Sequence, residues 1–293
     1  MGLVDQSVVE KKLSARASKN KIFKVLSFAC TMIGLIVLAI LIIDILRKGL
    51  PIMSLDFFSN FSSSSAKSAG IKGALIGTLW LMVTLIPIAL VLGVGSAIYL
   101  EEYAKDNALT RFIRVNISNL ASVPSIVYGL LGATIFVALM KLGNSVLAAA
   151  LTLALLILPV IIVASQEALR SVPQSVKEAS YGLGANKWQT IKNVVLPAAI
   201  PGIVTGIILA ISRAIGETAP LVAIGIPTIL LRTPNSILDS FQTLPLQIYD
   251  WARKPGVDFE ALSSGAIIVL LIILLVLNAI AIFIRNKYTN NSR

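Results

Sequence analysis

Six apolar runs, each about as long as a bilayer is thick, constrain this chain before any other feature does. They fall near residues 22–46, 71–100, 117–140, 145–165, 198–230 and 265–284. A helix needs about 20 predominantly apolar residues to cross the hydrocarbon core, where every backbone N–H and C=O must be satisfied within the segment itself. The expected fold class is therefore all-α integral membrane, with six transmembrane helices. Composition agrees, since 13% of the residues are charged and 56% hydrophobic, against about 25% charged in soluble domains. A water-soluble enzyme of 293 residues would have too little charge to clothe its surface. The first run follows a basic stretch as a signal sequence would, but it exceeds the roughly 7–15 residues of a signal core and has no small-residue cleavage site. It reads as a retained span.

Lys and Arg set the orientation. With the N-terminus in the cytoplasm, the inner segments 1–24, 101–116, 166–197 and 285–293 hold 16 basic residues and the outer segments 8, with Arg213 inside a span. That asymmetry predicts both termini on the cytoplasmic side of the membrane. Arg47 and Lys48, just beyond the first span, run against the rule, and Asp44 beside them reads as interfacial. The net charge of +11 is then mostly an orientation signal; a nucleic-acid surface would need it clustered on one solvated face. The predicted organisation is a basic cytoplasmic tail over 1–21, a first helix over 22–46 with an outer loop to 70, a five-helix core over 71–284 and a cytoplasmic tail over 285–293. Within the core lie a cytoplasmic loop, 166–197, and an outer loop, 232–264. The outer loop carries Tyr249 and Trp251 near its middle and reads as structured and open to an external partner. Glu101 and Glu102 read as parts of a solvated cytoplasmic turn.

Several chemistries are excluded at once. There is no histidine, which removes His-based zinc sites and Ser-His-Asp triads. The single cysteine, Cys30, cannot form an intramolecular disulfide and reads as apolar filler. No GxxxxGK[ST] loop is present, so the chain carries no nucleotide-binding P-loop, and no catalytic, metal or cofactor site is expected. The pairs Gly73/Gly77 and Gly202/Gly206 have the GxxxG spacing of close helix contacts, though chance on a lipid-facing surface gives the same spacing. Pro87, Pro124, Pro159, Pro220 and Pro227 lie within or beside spans, where they kink helices or open backbone toward a cavity.

The inner loop QEALRSVPQSVKEASYGLGANKWQTIKNVVLP, 166–197, is too long and too patterned for a connector. Glu178 and Ala179 are followed by Gly184 and Ala185, then by Val194, Leu196 and Pro197. This spacing resembles the EAA loop of bacterial ABC-importer permeases, with Ser180 in place of the third alanine and Val194 in place of an isoleucine. Small residues at 179, 180, 182, 184 and 185 allow two short helices to meet at a sharp angle, while Tyr181, Leu183, Trp188 and Ile191 offer apolar knobs beyond the bilayer. Exposed knobs call for a partner, or else for an amphipathic helix lying on the inner leaflet. The resemblance implies the type I ABC-importer permease fold, with Glu178, Ala179, Tyr181, Gly184, Ala185, Trp188, Leu196 and Pro197 in the segment that docks on an ATPase subunit.

Span five, PAAIPGIVTGIILAISRAIGETAPLVAIG, holds Arg213 and Glu217, an i, i+4 pair on one helix face. An arginine at mid-bilayer costs at least about 2.5–3.5 kcal/mol on insertion scales. A structural salt bridge answers part of that cost. Ser212, Gly216 and Thr218 beside it, and Pro220 releasing backbone carbonyls, make a polar pathway the better reading. SRAIGETAPL, SVPSIVYGLLG at 122–132 and PLQIYDWARKP at 245–255 resemble the PstA family, permease subunits of phosphate ABC importers. The resemblance implies a second, PstC-like permease subunit, a cytoplasmic PstB-like ABC ATPase dimer that binds the ATP and magnesium, and an extracytoplasmic PstS-like phosphate-binding protein.

On that reading Arg213 attracts phosphate with paired N–H donors. Glu217 holds the arginine in the empty channel and then accepts a proton from the phosphate hydroxyl, which sulfate lacks. Ser125 and Tyr128 either line the same path, because Pro124 frees local backbone, or, for the tyrosine, anchor the interface. Two alternatives stay open. One is a permease for another oxyanion or a phosphonate. The other is a secondary anion transporter, which would show halves of matching hydropathy; no such repeat is found.

Overall fold

The computed structural model describes residues 6–290, with side chains from 20 to 287. Residues 1–5 of the expected basic tail and 291–293 of the C-terminal tail lie outside the described residues. From Gln6 onward the tail is already helical, continuous with the first span as α1, Gln6–Gly49. A short 3-10 turn, Leu50–Ile52, and α2, Leu55–Ser59, lead into α3, Lys72–Ile98, which ends in a π-helical turn, Tyr99–Tyr103. Then come α4, Ala108–Leu120, α5, Ser125–Gly132, and a second π stretch, Ala133–Leu139. Helix α6 is Val146–Arg170 and α7 is Gln174–Gly182. Helix α8, Lys187–Thr190, runs through a π turn, Ile191–Val195, into α9, Leu196–Gly216. The chain closes with α10, Ala219–Ile224, α11, Leu244–Arg253, and α12, Val257–Asn290. Among the described residues no strand forms; a single bridge pairs Ser145 with Ser240.

Five helices are long and apolar enough to cross a bilayer, and the count reaches six when Ala108–Leu120 and Ser125–Leu139, bent by 106°, are taken together as one span. The expected third span over 117–140 is thus two pieces. Pro124 has no N–H to continue the ladder and sets an extended ψ of 136° at the head of α5. The 15 residues from Ser125 to Leu139 reach only about 22 Å at 1.5 Å per residue, short of the roughly 30 Å of hydrocarbon. Helix α4 starts on an Asn107 cap, whose Oδ1 accepts from the Thr110 N–H at 2.8 Å.

Helix α6 is the centre of the bundle. Leu153, Ile157 and Ile161 are fully buried and share one cluster with Leu81, Leu85, Ala210, Ala214, Leu221 and Phe241. Small residues bring α9 against α6: a Cβ added to Gly206 would stand 2.3 Å from the Ala164 Cβ, and one on Gly202 2.7 Å from the Ala168 Cβ. This pair is a true close-packing contact. Gly77 serves differently, since a Cβ there would meet the Gln242 carbonyl oxygen of the outer loop at 2.0 Å.

Helix α1 stands at the edge, its apolar side chains from Ile22 to Ile43 exposed. Its outer end is fastened to α12: Gly49 is wedged against Ser264 and Gly265, and Lys48 pairs with Asp44 at 2.7 Å and Glu260 at 2.8 Å. The Lys48 charge that runs against the orientation rule is therefore neutralised locally. Asp44, expected as a plain interfacial residue, is one arm of this junction. On the outer side α11 buries Trp251 among Phe57, Leu244 and Leu262, so the centre of the 232–264 loop is structured.

Candidate functional site

Near the middle of the bundle, α9 stops. Glu217 leaves the helical region with ψ of 118°, Thr218 follows, and α10 begins with a proline in its first turn. The contacts of Gly202 with Ala168 and Gly206 with Ala164 show that α9 runs antiparallel to α6. Seven residues beyond Gly206, Arg213 comes level with about Ile157, midway along α6. The expected run over 198–230 is therefore not one helix, and Glu217 is not a helical neighbour of Arg213 but the residue at which the helix breaks. Non-helical backbone at membrane depth is tolerated where it lines a cavity or is covered by protein.

The ion pair forms across this break. Arg213 Nε donates to Glu217 Oε1 at 3.2 Å, with side chains 43% and 17% exposed. Arg213 lies in the last turn of α9, where the carbonyl-rich end of the helix favours a cation. Only its Nε is engaged within the described residues, so both Nη groups remain available to an acceptor.

The other expected residues divide. Thr218 is half-buried at the break itself. Tyr128 is buried and donates its phenol proton to the Leu120 carbonyl at 2.7 Å, closing the α4–α5 corner. It lies near enough to Arg213 to interact with its charge. One residue on, Gly129 lets α10 approach so closely that an added Cβ would sit 2.7 Å from Pro220 Cα. Ser125 opens α5, half-buried, and its side chain makes no hydrogen bond among the described residues. Ser212 turns elsewhere, donating to Asn278 Oδ1 of α12 at 2.8 Å, so it joins two helices instead of extending the Arg213 face. Asn278 was not anticipated; a lone amide in LLVLNAIAI was the available signal.

A second constellation sits at the cytoplasmic end. Helix α7 ends in a Schellman motif: Gly184 adopts φ of +86°, its N–H donates to the Tyr181 carbonyl at 2.9 Å, and the Ala185 N–H reaches the Ser180 carbonyl at 3.2 Å. Asn186 then caps α8 in a reciprocal box with Gln189, both bonds 2.9 Å. Ser180 and Thr190 hydroxyls meet at 2.9 Å, so the serine that replaces an alanine fastens the two short helices together. Leu183 is 90% exposed, and Tyr181 and Trp188 are exposed beside it. Ile191, expected among these knobs, is instead buried in the apolar interior. Glu178 and Ala179 are exposed, the Glu178 side chain making no hydrogen bond or ion pair among the described residues, and Ala185 is half-buried. Leu196 is half-buried and Pro197 opens α9.

Glu101 and Glu102 overturn a simpler expectation. They are not solvated: their side chains are 14% and 6% exposed, and they pair with Arg170 at 2.8 Å and Lys177 at 2.6 Å. Sequence reading missed them because two adjacent acids in a turn look solvated until the partner cations, about 70 residues away, are in place.

The chain matches the family described as binding-protein-dependent transport system inner membrane component over residues 89–288, which includes both constellations. It is 34% identical to the phosphate transport system permease protein PstA of Yersinia pestis, covering 95% of this chain and 94% of that one. It is 36% identical to the probable ABC transporter permease protein YqgI of Bacillus subtilis, over 86% and 90% of the two chains. With PstA 1 of Mycobacterium tuberculosis it shares 38% identity over 77% and 73%. Among solved structures, a bacterial ABC transporter importing the acidic polysaccharide alginate superimposes with a TM-score of 0.63 at 14% identity, covering 94% of this chain and 99% of that one. The inward-facing methionine ABC transporter MetNI gives 0.62 at 18% identity, covering 74% and 95%.

Proposed function

The chain belongs to the binding-protein-dependent transport inner-membrane component family and, within it, to the phosphate permeases of the PstA type, and on that premise we propose that it forms half of a phosphate pathway gated through Arg213 and Glu217. It is a multi-pass membrane permease subunit of an ABC phosphate importer. The partners follow from that role: a second, PstC-like permease across the open face of Arg213, a PstB-like ATPase dimer holding ATP and magnesium under the α7–α8 corner, and a PstS-like phosphate-binding protein at the outer loops. Both termini face the cytoplasm.

The observation that carries the reading is the ion pair at the break between α9 and α10. Glu217 holds only Nε, leaving a two-pronged donor edge for a phosphate oxygen pair. As phosphate approaches, its protonated oxygen donates to Glu217, so the carboxylate that would repel a bare dianion becomes an acceptor for a protonated one. Sulfate brings no such proton and meets an unrelieved negative charge. A phosphonate also carries an ionisable oxygen, which makes it the second reading for the substrate. Competition of phosphonate, molybdate and sulfate against phosphate uptake separates these.

Arg213→Ala is expected to abolish phosphate uptake in cells while the subunits still co-purify; normal uptake in that variant rules the role out. At the cytoplasmic end, Trp188→Asp is expected to lose the ATPase subunit in a pull-down, because a charge replaces the exposed ring beside Leu183. Unchanged capture and transport would remove the docking assignment from the α7–α8 corner.

A further inference from the structure

The π-helical turn at the end of α3 holds the cytoplasmic loop at three places. Glu101 pairs with Arg170, the last residue of α6, at 2.8 Å. Glu102 pairs with Lys177 of α7 at 2.6 Å. Tyr103 lies under Lys187, the first residue of α8, with Nζ 5.0 Å from the ring centroid. Two adjacent carboxylates thus reach cations on two different helices of the loop. Arg114 of α4 also donates to the Leu100 carbonyl and stands 3.7 Å from Glu101.

The turn therefore joins α3 and α4 to each helix of the loop. Beneath it, Ala97 and Leu100 share an apolar cluster with Leu169, Val172 and Val195. Glu102 and Lys177 have side chains only 6% and 14% exposed, so truncating either leaves the other charge poorly solvated, a state much costlier than an open surface pair. π turns of this kind are over-represented at functional positions. The contact ties the end of α3 to α7.

Building on the permease reading above, we infer that Glu102 and Lys177, supported by Glu101 and Arg170, are positioning residues that pass displacement of the α7–α8 corner to α3, so that the ATPase drives α3 together with α6 and α9. The pair touches neither phosphate nor nucleotide; it fixes how the corner's motion is shared among the spans.

The test uses the purified complex in liposomes. Phosphate moved per ATP hydrolysed is measured for the unaltered protein, Glu102→Gln, Lys177→Gln and the exchanged pair Glu102→Lys/Lys177→Glu. In the same samples, hydrogen exchange of residues 99–103 is followed with and without ATP. Each single variant is expected to retain the ATPase subunit and hydrolyse ATP, yet move at least about fivefold less phosphate per ATP, with the exchanged pair recovering at least half of the loss. ATP is expected to change exchange in the 99–103 segment of the unaltered complex and not of the singles. Wild-type stoichiometry in the singles, or an ATP response that survives in them, overturns the inference. So does a single variant that fails to assemble unless the exchanged pair restores both assembly and coupling. If the unaltered complex moves no phosphate, the substrate reading fails, and the hydrogen-exchange comparison alone decides the role of the turn.

Discussion

A guanidinium halfway across a bilayer has to be stabilised by something, and here three features act on Arg213. Glu217 neutralises it, the carbonyl end of α9 favours it, and an open flank gives its remaining donors access to an acceptor. An ion pair whose arginine is 43% exposed adds little to stability in its own right, which fits a role in recognition. Glu217→Gln keeps a hydrogen bond to Nε while removing the negative charge. The expected result is that sulfate competes with labelled phosphate at concentrations at least about tenfold lower in the variant than in the unaltered protein; unchanged competition would place the discrimination elsewhere. At this scale the sequence displayed Arg213 and Glu217 plainly, because charges in apolar surroundings stand out. It concealed the direction of Ser212, whose hydroxyl could serve either neighbour until α12 supplied Asn278. Ile191 was concealed for a related reason: it lies on the inward side with Thr190 and Val195, which only the packing of the loop against the bundle reveals.

The helices depend on small residues where they meet. Gly206 leaves no room for a Cβ against Ala164, whereas a Cβ on Gly95 would meet nothing within 4 Å. Gly206→Leu is therefore expected to lower stability by about 1–3 kcal/mol through overpacking, read as a drop of several degrees in the melting midpoint of the detergent-purified protein, while Gly95→Leu stays close to wild type. Equal effects would mean that the α6–α9 contact is looser than the geometry says. Hydropathy located the long helices, since a window of about 20 residues averages over their details. The same averaging hid the breaks at 121–124 and 217–218, where one proline or one departing residue decides the path. The sharp meeting of two short helices was legible in the small residues at 179, 180, 182, 184 and 185, and Gly184 takes the φ of +86° that is costly for any residue with a Cβ. The hydrogen-bond partners of the turn were not legible.

Over the whole molecule, two constellations lie at different depths on one continuous scaffold. The exposed α7–α8 corner and the broken helix are joined by a single element, since α8 passes through a π turn into α9 and α9 ends at Arg213 and Glu217. A continuous helical path therefore runs from the corner to the ion pair, with α9 packed closely along α6. The peripheral α1 is fastened near its outer end to α12. This arrangement was only partly legible beforehand: the chain order of motifs is a property of sequence, but the shared depth of Arg213 and the middle of α6 depends on antiparallel packing. The most direct measurement is ATP-driven uptake of labelled phosphate by the purified complex in liposomes, with ATP on the cytoplasmic face, comparing the unaltered chain with Arg213→Ala. The account predicts phosphate accumulation that requires ATP and is lost in the variant despite full assembly. Uptake by Arg213→Ala at the wild-type rate, or no phosphate movement by the intact complex, would contradict it.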